Sequence, residues 1–177
     1  MTIGEFLDMK FSIGDKVVHP QQGVGYVAKL EEKQFEPNKP RLYYVILIPE
    51  TTMWVPVDLT TSGLRKLSAR SELEQCRLVL QSAPHPLIPE KGLLSNLIVH
   101  INQGTVAAHC KVVRDLFTHG WHKPLYGPIS EFQRVILSVL SQEWAAVEEI
   151  SPVEAGQEIS LLLKKGRAFH DQRPSKF

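Results

Sequence analysis

FSIGDKVVHPQQGVGYV, residues 11–27, decides how the rest of this chain is read. Two short apolar runs flank a His19-Pro20 break, and Gly23 and Gly25 form a Gly-x-Gly beside a potential strand. A phosphate-cradling loop needs Gly-x-Gly-x-x-Gly between a strand and a helix. Here the third position is Ala28, and strand texture runs on past it, so no helix N-terminus follows to receive a phosphate. The stretch reads instead as the first hairpin of a small β module. Gly14, Pro20, Gly23 and Gly25 set its conformation, the last two by turn dihedrals and a bulge or close approach in a curved sheet.

Working outward, the strand pattern continues to about residue 66. GVGYVAKLEEKQF alternates Val24, Tyr26 and Leu30 against polar neighbours, with Val27 close by. EPNKP carries turn chemistry, and RLYYVILIP is a β-branched and aromatic strand closed by Pro49. TTMWVPVD is a further strand whose Pro56 lacks a ladder donor, which places it at a sheet edge or a bulge. Four or five short strands in some sixty residues predict a small closed or partly open barrel.

From Ser71 the periodicity becomes helical. SELEQCRLVLQ has Glu74 three residues after Ser71, a capping-box spacing. LLSNLIVHINQ, GTVAAHCKVVRDLF and ISEFQRVILSVLSQEWAAVEEI each carry an apolar stripe at helical spacing. SPVEAGQEISLLLKKG opens with Ser151, Pro152 and Glu154 as a helix start, and Gly166 is its expected stop. SAPHPLIPEKG and THGWHKPLYGP read as connections. The fold class is therefore α+β, a β module over residues 1–69 followed by a helical bundle of four or five helices over 70–177, ending in a polar tail.

Composition narrows the function. The 177 residues are 43% hydrophobic, enough for a buried core, and no apolar run approaches the ~18 residues of a membrane span. The N-terminal residues carry no basic stretch of the signal-peptide kind, so a cytoplasmic protein without membrane partners is expected. The net charge is +1, with eight basic against eight acidic residues up to position 69 and twelve against eleven beyond it. Autonomous tight binding to duplex DNA calls for a basic excess that is missing here.

Candidate chemistry is sparse. Cys76 and Cys110 have neither disulfide-framework nor zinc spacing and are expected as buried thiols. His119 and His122 lie three apart, but His109 and Cys110 are a helix away with no carboxylate among them, so no metal or cofactor is assigned. Asp15 and Asp58 read as turn acceptors and Asp115 as a helix-surface partner of Arg114 or Lys111. No nucleophile or paired-carboxylate arrangement stands out, so no catalytic residue, no small-molecule substrate and no enzyme activity are expected. Trp54, on the proline-interrupted strand, is either a core residue or an exposed anchor for a partner. Trp144 sits on a helical stripe and is expected in the core.

The spaced string F-S-I-G-D-K-V-V-H-P-Q-Q-G-V-G-Y-V, then Y-Y-V-I-L-I, V-P-V-D and G-L-R, resembles the N-terminal module of the CarD/CdnL transcription regulators, which also occurs in the bacterial transcription-repair coupling factor. K-V-V-R-D-L-F, residues 111–117, is similar to a helix of their C-terminal domain. The resemblance implies a Tudor-like (SH3-like) barrel that docks on the β subunit of bacterial RNA polymerase. It also implies a helical domain that meets promoter DNA and stabilises the open complex. The polymerase-facing positions fall on Lys33, Phe35 and Trp54. The family's tryptophan wedge and basic run should fall at PEKGLLSNLIVH, where this chain has Glu90, Lys91, Gly92 and aliphatics. Lys91 is thus the remaining DNA-binding candidate. The expected function is regulation of transcription initiation through RNA polymerase. The alternative is a protein-interaction module of the same fold without the wedge activity, its aliphatic face packed in the bundle or against a second protein.

Overall fold

The computed structural model describes residues 9–36, 39–49, 51–58, 63–87, 92–102 and 105–171. It divides into two units that meet between Leu67 and Ser68.

The first unit is an antiparallel sheet of β1 (Lys16–His19), β2 (Gly23–Glu36), β3 (Lys39–Ile48), β4 (Thr51–Pro56) and β5 (Arg65–Lys66). Its strand order is β4-β3-β2-β1-β5, so β4 ends the sheet, as its proline predicts. No pairing between β4 and β1 or β5 closes it into a ring among the described residues. Phe11, Val17, Val27, Tyr44, Ile46, Ile48, Val55 and Leu64 form the core on one face of the curled sheet, a Tudor-like arrangement.

The opening stretch is a hairpin. Gly23 turns the chain at φ 97°, where an L side chain is strained. At Gly25 a Cβ would collide with the Leu47 carbonyl oxygen and lie 2.8 Å from Ile48 Cγ1, so only glycine lets β2 approach β3 there. Asp15 is a turn acceptor, taking the Ser12 amide at 3.0 Å and facing Lys66 Nζ at 3.2 Å. One expectation is corrected. Tyr26 does not share a face with Leu30: Tyr26 is 48% exposed while Val27 is buried. A register shift between Val27 and Lys29 inserts Ala28 as an extra residue. Each inserted residue moves every later side chain to the other face, so Leu30 returns to the core side with Val27.

The second unit comprises α1 (Arg70–Gln81), α2 (Leu93–Asn102), α3 (Val106–His122), α4 (Gly127–Glu148) and α5 (Pro152–Asp171). Cys76, Cys110, Leu116, Ile136, Leu140, Trp144 and Ile159 are fully buried in its core. The Trp144 indole N–H donates to Glu158 Oε2 (2.9 Å), and the Arg77 guanidinium lies 5.0 Å from the same ring while binding Glu158 and Glu148. This ties α1, α4 and α5 together beneath a charged roof.

Three helix limits differ from the sequence reading. α1 begins two residues early: its cap is Ala69, whose amide donates to Glu72 Oε2 (2.8 Å), and Glu74 instead pairs with Arg77. The start is fixed by Ser68, whose hydroxyl donates to the fully buried Glu143 carboxylate at 2.6 Å and whose amide reaches the same oxygen at 3.3 Å. α3 runs on through Trp121 to His122, so that tryptophan is helical. α5 does not stop at Gly166. A Cβ there would lie 3.0 Å from Gln81 Cα, so this glycine lets α5 cross α1 closely. The start of α5 is as predicted: Ser151 and Glu154 exchange amide and side-chain bonds (2.9 and 3.2 Å).

Candidate docking edge

Strand alternation sorts the residues of β2, β3 and β4 into two faces. Tyr44 and Ile46 turn to the core, while Tyr43, Val45 and Leu47 turn outward. In register with these outward residues are Tyr26, Lys29 and Glu31 on β2 and Thr52, Trp54 and Pro56 on β4. The outward face gathers three aromatic rings, Phe35, Tyr43 and Trp54, at the end of the sheet where β4 has no further strand.

Lys33, Phe35 and Trp54 are brought together on this face. Lys33 Nζ lies 4.0 Å from the Trp54 ring centroid and 5.8 Å from that of Phe35. Phe35 meets Tyr43 edge-on at 5.1 Å and Trp54 at 6.5 Å. The Trp54 indole N–H donates to Glu31 Oε2 at 3.1 Å, and Lys29 and Lys33 approach the same oxygen at 3.5 and 3.9 Å. That indole bond, followed by the two lysine charges, holds the Glu31 carboxyl below the usual carboxylate range. Trp54 is 37% and Phe35 60% exposed. Trp54 thus packs its ring against neighbours on the outer face and keeps an open flank; it is not a core residue of the sheet. Tyr43 and Val45 beneath the cluster are buried, which gives the two exposed rings an apolar floor.

Other sequence candidates fall elsewhere. Lys91 and Glu90 lie outside the described residues. The aliphatics after them form α2, with Leu97 and Ile101 buried and Leu93, Leu94 and Ile98 packed on the helical core. His109 and Cys110 are buried in α3, and His119 and His122 occupy its last turn. No group of three His, Cys, Asp or Glu that could hold a metal occurs among the described residues. No helix there is long and apolar enough to cross a membrane.

Asp115 does pair with Arg114, one of its two expected partners, but the pair is buried rather than on the helix surface and belongs to a wider polar centre that sequence reading missed. Arg114 is 3% exposed, with its Nε at 2.8 Å from Asp115 Oδ1, and its guanidinium also donates to Ser82 Oγ and faces His85 Nδ1 (2.7 Å). Asp115 accepts the His85 amide at 2.9 Å. The Arg-Asp pair of KVVRDLF thus pins the start of the proline-rich corner, residues 82–87, onto α3. The available signal was position: Arg114 lies four residues after Cys110, on the buried stripe.

Residues 11–68 match the family model of the CarD-like/TRCF RID domain. The chain is also 28% identical over 109 residues to "Putative transcription factor YdeB" of Bacillus subtilis (strain 168), an alignment covering 60% of this chain and 71% of that protein. The hairpin glycines, the outward aromatic face and the open β4 edge all lie within the matched segment. Through this module, residues 11–68 are similar to the CarD-like/TRCF RID domain.

Proposed function

We propose that the β module binds the β subunit of bacterial RNA polymerase and that the protein acts on transcription initiation. Its contact is the β4 edge with Trp54, Phe35 and Lys33. The observation that carries this reading is the exposed Lys33–Phe35–Trp54 cluster beside a terminal strand inside the CarD-like/TRCF RID match. Exposed tryptophan beside aromatic and cationic neighbours is the composition of binding hot spots, and a terminal strand offers backbone groups for strand addition. The site of action is the cytoplasm, where the polymerase works. In this role the protein stabilises the open complex at promoters.

A second reading has its own support: the protein binds polymerase without a promoter-DNA wedge. Of the α2 aliphatics at the wedge positions, Leu93, Leu94, Leu97 and Ile98 are packed on the helical core and Val99 is exposed, and charge is balanced along the chain. Co-purification of the full chain with an isolated polymerase β-subunit fragment that carries the protrusion tests the docking. No retention, with no effect of Trp54→Ala, removes the first reading. Retention with unchanged open-complex lifetimes at every promoter tried selects the second.

A further inference from the structure

One hydrogen bond fixes which backbone groups of β4 are already used. The Val57 amide donates to the Leu42 carbonyl at 3.0 Å, so these two residues form a bonded pair. Bonded and non-bonded pairs alternate along an antiparallel ladder. The register then makes Val55 with Tyr44, Met53 with Ile46 and Thr51 with Ile48 the remaining bonded pairs. Thr52, Trp54 and Pro56, opposite Leu47, Val45 and Tyr43, turn their main-chain groups away from β3. Among the described residues no strand pairs with that side of β4. The edge therefore offers N–H and C=O at Thr52 and Trp54, but only C=O at Pro56, because proline has no N–H.

Within the fold this proline costs no ladder bond, since a donor at residue 56 would point outward. Its effect falls on whatever arrives from outside. We propose that Pro56 is a positioning residue of the docking edge. It ends the run of donors, so a partner strand is admitted on Thr52 and Trp54 and excluded from registers that carry it past Trp54. This rests on the reading of β4 as the polymerase-docking strand, and the occupant is an extended segment of the polymerase β subunit. A strand slipped two residues onward would bury a carbonyl against the Pro56 ring carbons. A buried acceptor without a donor weakens binding by roughly tenfold to hundredfold, which suffices to select a register. The same gap shortens the edge available to a second copy of this chain, a known use of edge prolines.

The test is amide hydrogen exchange of the isotopically labelled full chain, free and with the polymerase β-subunit fragment. In the free protein the Thr52 and Trp54 amides exchange fast while Met53, Val55 and Val57 are protected, and the fragment slows Thr52 and Trp54. In Pro56→Ala, the new amide at 56 is also protected by the fragment, and binding tightens about threefold to tenfold, the worth of one added hydrogen bond. Protection of Thr52 and Trp54 in the free chain overturns the proposal, because the edge is then already covered. So does a Pro56→Ala complex with an unprotected residue 56, or one of unchanged or weaker affinity, which marks Pro56 as a merely stiffening residue. If the fragment fails to bind at all, the polymerase reading falls and takes the role of Pro56 with it. The free-chain exchange pattern still reports the edge geometry separately.

Discussion

Truncating Trp54 to alanine separates packing from docking. A fully buried tryptophan hides roughly 150–250 Å². At 37% exposure, truncation returns on the order of 130 Å² to water. At about 25 cal/mol per Å² this is about 3 kcal/mol, an upper value because the denatured chain already covers part of that surface. Loss of the Lys33 cation over the ring adds about 0.5 kcal/mol. The expected cost to the β module is therefore about 2–3 kcal/mol, read as a lowered urea midpoint at unchanged slope. Trp54→Phe keeps most of the ring burial and removes the indole donor, so it costs about 1 kcal/mol. An anchor contributes at least about 2 kcal/mol to binding, so Trp54→Ala weakens the polymerase β fragment about 30-fold in calorimetric titration, at a temperature where both proteins are folded. An alanine variant that loses its 2–3 kcal/mol of stability yet binds within about twofold of wild type would refute the anchor role and leave Trp54 a packing residue.

Other perturbations probe the frame around the edge. His19 is held neutral by burial, its pKa lowered. Its folded state binds fewer protons than the unfolded chain, so the β module loses stability as pH falls from the ordinary imidazole range through the lowered value. Stability–pH curves of wild type and His19→Asn should diverge only in that window, and parallel curves exclude the effect. Gly166→Ala should destabilise the helical unit by about 1 kcal/mol, the crowding against Gln81 exceeding the gain in helix propensity; a stabilised variant in thermal unfolding would mean the crossing has slack. Arg114→Met should cost about 3 kcal/mol, because it leaves the Asp115 carboxylate without its partner. It should also speed exchange of the His85 amide, and unchanged exchange there would show that the corner is held by other contacts.

Much of this architecture is written in local pattern. Pro56 marked the sheet edge because a missing donor is tolerated only there, and Ser151 with Glu154 marked a helix start because both bonds are made within three residues. Pattern failed where a distant group decides. The inserted Ala28 leaves no mark in composition, yet it reverses which of Tyr26 and Val27 is buried. Ser71 and Glu74 had the spacing of a cap, but the cap was set by Ser68 meeting a carboxylate 75 positions away. Gly166 looked like a stop because its neighbour Gln81 is invisible to a periodicity argument. The Lys33–Phe35–Trp54 cluster lies between these cases. Lys33 and Phe35 could be placed on one strand, but their meeting with Trp54 depends on the β2–β3–β4 register, and only the family resemblance pointed to it. The Arg114–Asp115 pair was legible as neighbours on one helix, but not its burial, since the further partners Ser82 and His85 sit in another segment.

The Trp54 ring is held from two directions before any partner arrives, by Glu31 at its indole nitrogen and by Lys33 over its face. A side chain already fixed loses little rotamer freedom on docking, a cost of about 0.5–1.5 kcal/mol for one that must be immobilised. If this edge docks the polymerase, Glu31 supports affinity through the Trp54 ring that it holds. Removing its carboxylate should then leave the encounter rate nearly unchanged and shorten the lifetime of the complex, through a residue that orders the anchor from the neighbouring strand.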